Sequence, residues 1–117
     1  MRNFRELEVW KSGITLVKQV YTLIESLPDS EKFGLKSQIS RCVVSIPANI
    51  AEGCAKDSQK DFVRFLQISL GSAFELETHL IICSELSYIS NQEKIIIEIN
   101  TLQKKIKALI NYSKSQY

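Results

Sequence analysis

Apolar residues recur at alternating three- and four-residue steps along four consecutive stretches of this chain. A repeat averaging 3.5 residues keeps a stripe on one side of an α-helix and suits packing in a bundle. A strand alternates with period two instead. The first stretch, about 6–26, carries Leu7, Trp10, Ile14, Val17, Tyr21 and Ile24, with Val9, Leu16, Val20 and Leu23 alongside. The second, about 34–54, carries Leu35, Ile39, Cys42, Ile46 and Ile50. The third, about 58–89, carries Phe62, Leu66, Ser69, Ala73, Leu76, Leu80 and Cys83, and the fourth, about 91–112, carries Ile95, Ile99, Leu102, Ile106 and Leu109. The breaks between them are short, which favours antiparallel neighbours. The expected fold is therefore all-α, an antiparallel up-and-down four-helix bundle, with residues 1–117 as one domain.

The ends of these stretches carry local signals. Pro28 disfavours helical geometry at Leu27. Pro47, inside the second stretch, removes a backbone donor and predicts a kink near Val43 to Ile46. Gly53 stands where a left-handed cap can end a helix. Ser58 is a candidate N-cap, and Ser90 with Glu93 fits a capping box. Residues 113–117 are expected to fray.

The third stretch has more apolar surface than one bundle covers. Ile68, Phe74, Ile81 and Ile82 fall outside its core seam, and its polar strip (Arg64, Gly71, Thr78, Glu85) is narrow. A helix apolar nearly all round needs cover on more than one side. On the second helix, Gln38, Arg41, Ser45, Asn49 and Glu52 line one face without lysines. Short polar groups and one Arg suit hydrogen bonding across a packed interface. These nine residues form a candidate interface between copies of the chain, and self-association is expected.

Chemistry finds little support. His79 is the only histidine. Cys42 and Cys54 stand roughly 18 Å apart along one helix, too far to share a metal. Ser72, Glu75 and His79 share a helix face, but Ser72 and His79 are about 10 Å apart along it, beyond the reach of a nucleophile and its base. Glu75 and His79 read as an ordinary i,i+4 pair. No phosphate-binding loop or nucleophile elbow is present. No enzyme, cofactor or metal is therefore expected. The three scattered cysteines read as reduced core thiols. No apolar run approaches the ~20 residues of a membrane span, and the N-terminal residues carry no signal pattern. The expected location is cytoplasmic, with no membrane partner.

The net charge of +2 does not by itself imply nucleic-acid binding. The basic residues are nonetheless grouped. Lys104, Lys107 and Lys114 share a face of the fourth helix, with Lys105 adjacent, and residues 91–117 hold five Lys against two Glu. Lys56, Lys60 and Arg64 gather at the start of the third helix. One copy with so few phosphate contacts binds weakly and only at low salt; several copies multiply the patch and gain avidity.

The run Ser45-Ile46-Pro47-Ala48-Asn49-Ile50-Ala51-Glu52-Gly53 resembles the signature of the bacterial four-helix-bundle family named for intervening sequences in 23S ribosomal RNA genes. Leu7-Glu8-Val9-Trp10-Lys11, Phe33-Gly34-Leu35 leading through Gln38 and Arg41, Asp61-Phe62 to Phe65-Leu66, and Glu75-Leu76-Glu77-Thr78 extend the resemblance along most of the chain. It implies an up-and-down bundle that forms a homo-oligomer, a pentameric ring in known relatives. A related branch, the accessory protein of diversity-generating retroelements, works with a reverse transcriptase and binds nucleic acid. The family offers no catalytic residues. Two positions depart from its pattern: His79 stands where Gln is frequent, and Ser87 where Gly is common. The chain is also less basic than the retroelement branch. The reading these features support is a non-enzymatic homo-oligomer that binds structured RNA or DNA, or a nucleic-acid enzyme, through a basic rim. The alternative is a protein-interaction scaffold with no nucleic-acid role.

Overall fold

The structure is a computed structural model that describes residues 2–117. Four helices, α1 (Glu8–Leu23), α2 (Leu35–Cys54), α3 (Gln59–Glu85) and α4 (Glu93–Lys114), alternate with turns, and single 3-10 turns occupy Phe4–Glu6, Ile24–Ser26 and Asp29–Glu31. Among the described residues there is no strand.

Packing follows chain order around a closed square: α1 on α2, α2 on α3, α3 on α4, and α4 back on α1. The α2–α3 seam is the most extensive and the α1–α4 seam the least. Cross-helix hydrogen bonds fix the directions. Cys42 meets Ser72 while Ile46 meets Ser69, so α2 and α3 are antiparallel. Ser84 meets Gln92 while Ala73 meets Gln103, so α3 and α4 are antiparallel too. The result is an elongated body of 46 × 23 × 19 Å.

The core holds the expected seams of α2 and α3 almost unchanged. Ile39, Ile46, Ile50, Leu66, Leu76 and Leu80 are fully buried, each worth about 1.5–3 kcal/mol in burial. Helix α1 buries one side of its wide apolar face more deeply than the other. Its core face is the second stripe, Val9, Leu16, Val20 and Leu23, together with Gly13, and Tyr21 is exposed. The other stripe packs at the core margin (Leu7, Trp10, Val17), with Ile24 just past α1 fully buried, and Gly13 marks where α1 comes close to α2. There the backbone of α1 lies against the ring of Pro47. Trp10 remains at the margin and packs on Phe4, with ring centroids 5.1 Å apart.

Several ends are corrected. Helix α3 stops at Glu85 rather than near residue 89, because Ser87 takes φ 62°. The Tyr88 amide then donates to Cys83 O and the Ser87 amide to Ser84 O, the closure of a left-handed cap. The Ser90–Glu93 capping box does not form: α4 begins at Glu93, two residues later than expected, with Gln92 before its first residue and no side-chain cap. At its far end α4 runs on to Lys114, and Ser113 is buried rather than frayed. Gly53 does not adopt a left-handed conformation. It lies within α2, where a β-carbon would stand 2.8 Å from Phe65 Cβ; its role is close approach to α3. Ser58 caps α3 as expected, accepting from the Asp61 amide at 3.0 Å.

Helix α2 continues through Pro47 without a break. Side chains contact the carbonyls around it: Ser69 Oγ donates to Ile46 O at 2.9 Å, and Asn49 Nδ2 to Ser45 O at 2.8 Å.

Candidate functional site

The up-and-down order brings the C-terminal end of α2, the start of α3, the C-terminal end of α4 and the start of α1 to one end of the bundle. Lys56, Lys60 and Arg64 therefore share an end with Lys107 and Lys114, although about fifty residues separate the two groups in the chain. Aromatic rings seat several of these cations. Lys56 Nζ lies 5.0 Å and Arg64 Cζ 4.7 Å from the Phe65 ring centre, a favourable placement over the π face. Arg64 also meets Asp61 at 3.8 Å. Arg2, which charge patterning alone did not single out, joins this end. Its guanidinium lies 4.1 Å from the Phe62 ring centre, donates to Lys56 O at 3.2 Å and hydrogen-bonds Gln59. Glu52, Asp57 and Asp61 stand in the same region, so the end is mixed, with cations in excess.

Lys105 separates from its neighbours. It lines a polar groove of about 370 Å³ between α1 and α4, with Lys11, Thr15, Gln19, Glu98 and Thr101. Lys107 is on the flank of α4 nearer α3, and Lys104 faces outward.

The stripe on α2 divides as well. Gln38, Arg41 and Glu52 are exposed, whereas Ser45 and Asn49 are half-buried. Ser45 Oγ hydrogen-bonds Ser72 Oγ at 2.5 Å across the α2–α3 seam, and Asn49 turns back on its own helix. Both make their contacts within the chain. On α3, Ile68, Phe74, Ile81 and Ile82 are 43%, 54%, 47% and 39% exposed. Phe74 and Ile81 face the α4 side, and Ile68 and Ile82 the α2 side, with the ridge of Gly71, Thr78 and Glu85 between them.

His79 packs against its own bundle with 12% of its side chain exposed, and its Nε2 lies 3.2 Å from Glu75 Oε2. Its Nδ1 has no partner. Nearby, the Cys42 thiol donates to Ser72 O at 3.0 Å. Burial, reinforced by the Glu75 carboxylate, pushes this thiol up to about 12, so the thiolate a nucleophile needs is scarce near neutrality. Cys54 and Cys83 are likewise free, buried and raised by burial. Among the described residues no group of His, Cys, Asp and Glu is placed to hold a metal, and no helix is long and apolar enough to cross a membrane.

Fold and surface together define an all-α bundle protein with one basic end and uncovered apolar stripes on α3. The chain belongs to the 23S rRNA-intervening sequence protein family, which it matches over residues 5–111. It is similar to a crystal structure from Bacteroides thetaiotaomicron, described as a protein of unknown function from the S23 ribosomal protein family. The two share 28% identity and a TM-score of 0.80, covering 88% of this chain and 95% of the other. No curated protein matches the chain.

Proposed function

We propose that this protein is a non-catalytic homo-oligomer whose basic bundle end contacts structured RNA. The observation that carries the reading is the meeting of two separate basic segments, Lys56 to Arg64 and Lys107 to Lys114, at one end of the fold. Seated cations such as Lys56, Arg64 and Arg2 lose less freedom on meeting phosphate than free side chains do. The exposed stripes on α3 supply a surface for self-association, which would repeat the basic end and add avidity.

The test is a titration of the intact protein against structured RNA at two salt concentrations, alongside light scattering. The expected result is a mass severalfold above 13.4 kDa and an affinity that falls steeply with salt. Absent or salt-insensitive binding by the intact assembly overturns the RNA reading. Recovery of a single protein partner after nuclease treatment would favour a scaffold instead.

A further inference from the structure

Phe33 is the most exposed large apolar side chain on the described surface, at 89%. It projects from the α1–α2 connection beside a hollow that also involves Leu27, Asp29, Lys36 and Arg41. Lys32 Nζ lies 5.5 Å from its ring centre. Among the described residues, neither Lys32, Lys36 nor Arg41 has a carboxylate within ion-pairing distance. Asp29 is the acid in the hollow, and Glu31 is already engaged, accepting from the Leu35 amide at 3.1 Å and from Tyr88. The feature is an aromatic knob with a cationic collar.

A complementary hollow lies at the same end of the bundle. Where α3 ends and α4 begins, Ile81, Ile96 and Ile97 line a groove of about 420 Å³ flanked by Glu85 and Glu93. Ile97 is 65% exposed. Gln92 Nε2 donates to Ser84 Oγ at 2.8 Å in this groove, while Gln92 Oε1 accepts from nothing. The groove is open to solvent and floored by isoleucine side chains, an apolar surface against which a phenyl ring can lie. An apolar hollow with an acidic rim is the counterpart of an apolar knob with a basic collar, and such pairing sets orientation as well as affinity.

We propose that Phe33 of one copy seats in the Ile81–Ile97 groove of a second copy, with Lys32 and Lys36 meeting Glu85 and Glu93. This rests on the self-association stated above and specifies its contact. In a heterologous arrangement each copy offers its knob to one neighbour and its groove to another. Knob and groove both lie at the end opposite the basic one, so the contact leaves the basic ends of the joined copies uncovered.

The test uses the whole chain in three forms: wild type, Phe33→Asp and Ile97→Asp. Both substituted positions are exposed, and circular dichroism checks the fold. Each variant alone is expected to fall to the 13.4 kDa monomer. An equal mixture is expected to form a dimer and nothing larger, since one variant keeps the groove and the other keeps the knob. Either variant retaining the wild-type mass, or a mixture that stays monomeric, overturns the proposal while leaving self-association standing. A monomeric wild type removes both. A Phe33→Asp protein that keeps its mass but loses RNA affinity also overturns the docking and makes Phe33 a nucleic-acid contact.

Discussion

Gly13 of α1 lies against the ring of Pro47 in α2: a β-carbon at Gly13 would stand 3.2 Å from Pro47 Cβ and 3.3 Å from Pro47 Cδ. The proline inside the signature is thus a packing element facing α1. Its ring is stiff and buried, so it yields little to added volume. Gly13→Ala should lower stability by about 1 kcal/mol even though alanine is the better helix former by a similar amount. Denaturant midpoints at fixed protein concentration check this, since self-association makes stability concentration-dependent. An increase in midpoint would show that the two helices can separate at no cost.

Gly53 and Gly71 make an opposed pair. A β-carbon at Gly53 would meet Phe65 Cβ at 2.8 Å and Phe62 O at 3.3 Å, whereas one at Gly71 meets nothing within 4 Å. Gly53→Ala should destabilise by about 2 kcal/mol by forcing α2 and α3 apart. Gly71→Ala, on the exposed ridge of α3, should stabilise by about 1 kcal/mol through helix propensity alone. Thermal unfolding of the two variants should shift in opposite directions.

Ser87 holds φ 62° to end α3, a conformation that costs an L-residue roughly 1–2 kcal/mol. Glycine adopts it freely, at the cost of a more disordered unfolded chain. Ser87→Gly should raise stability by about 1 kcal/mol. Ser87→Val should lower it, because a β-branched residue tolerates positive φ worst. The order of the three unfolding midpoints is the measurement.

The buried thiols give stability a pH limit. Cys42 is raised from 9.0 to about 12 in the folded chain, first by burial and then by Glu75. Below 9.0 the thiol is protonated in both states, and its contribution is fully present. As pH rises from 9.0 towards 12, the unfolded state ionises first, and the contribution is lost. Unfolding free energy should therefore be flat for this group up to about pH 9 and fall above it, more steeply than in Cys42→Ala. Alkylation of the native protein at pH 8 should be slow at all three cysteines and fast in denaturant. Rapid labelling of the native protein would contradict their burial.

The amino-acid sequence by itself determined the four helices, the core seams of α2 and α3, the Ser58 cap and the excess apolar surface of α3, because each depends only on neighbours within two or three turns. It did not decide between two equally periodic stripes on α1. Which side of the wide apolar face of α1 is buried deepest shows only in the packed fold, where Gly13 lies against Pro47. The role of Gly53, a close approach and not a cap, was decided in the same way by Phe65. The end of α3 was legible only in part: Ser87 stood out as a departure from the glycine pattern, but the left-handed turn at that residue appears only in the backbone. The meeting of Lys56 to Arg64 with Lys107 and Lys114, and the placement of Phe33 and the Ile81–Ile97 groove at the other end, belong to tertiary structure alone. Helix period fixes which residues share a face, whereas only the antiparallel packing of whole helices brings residues far apart in the chain to the same end of the bundle.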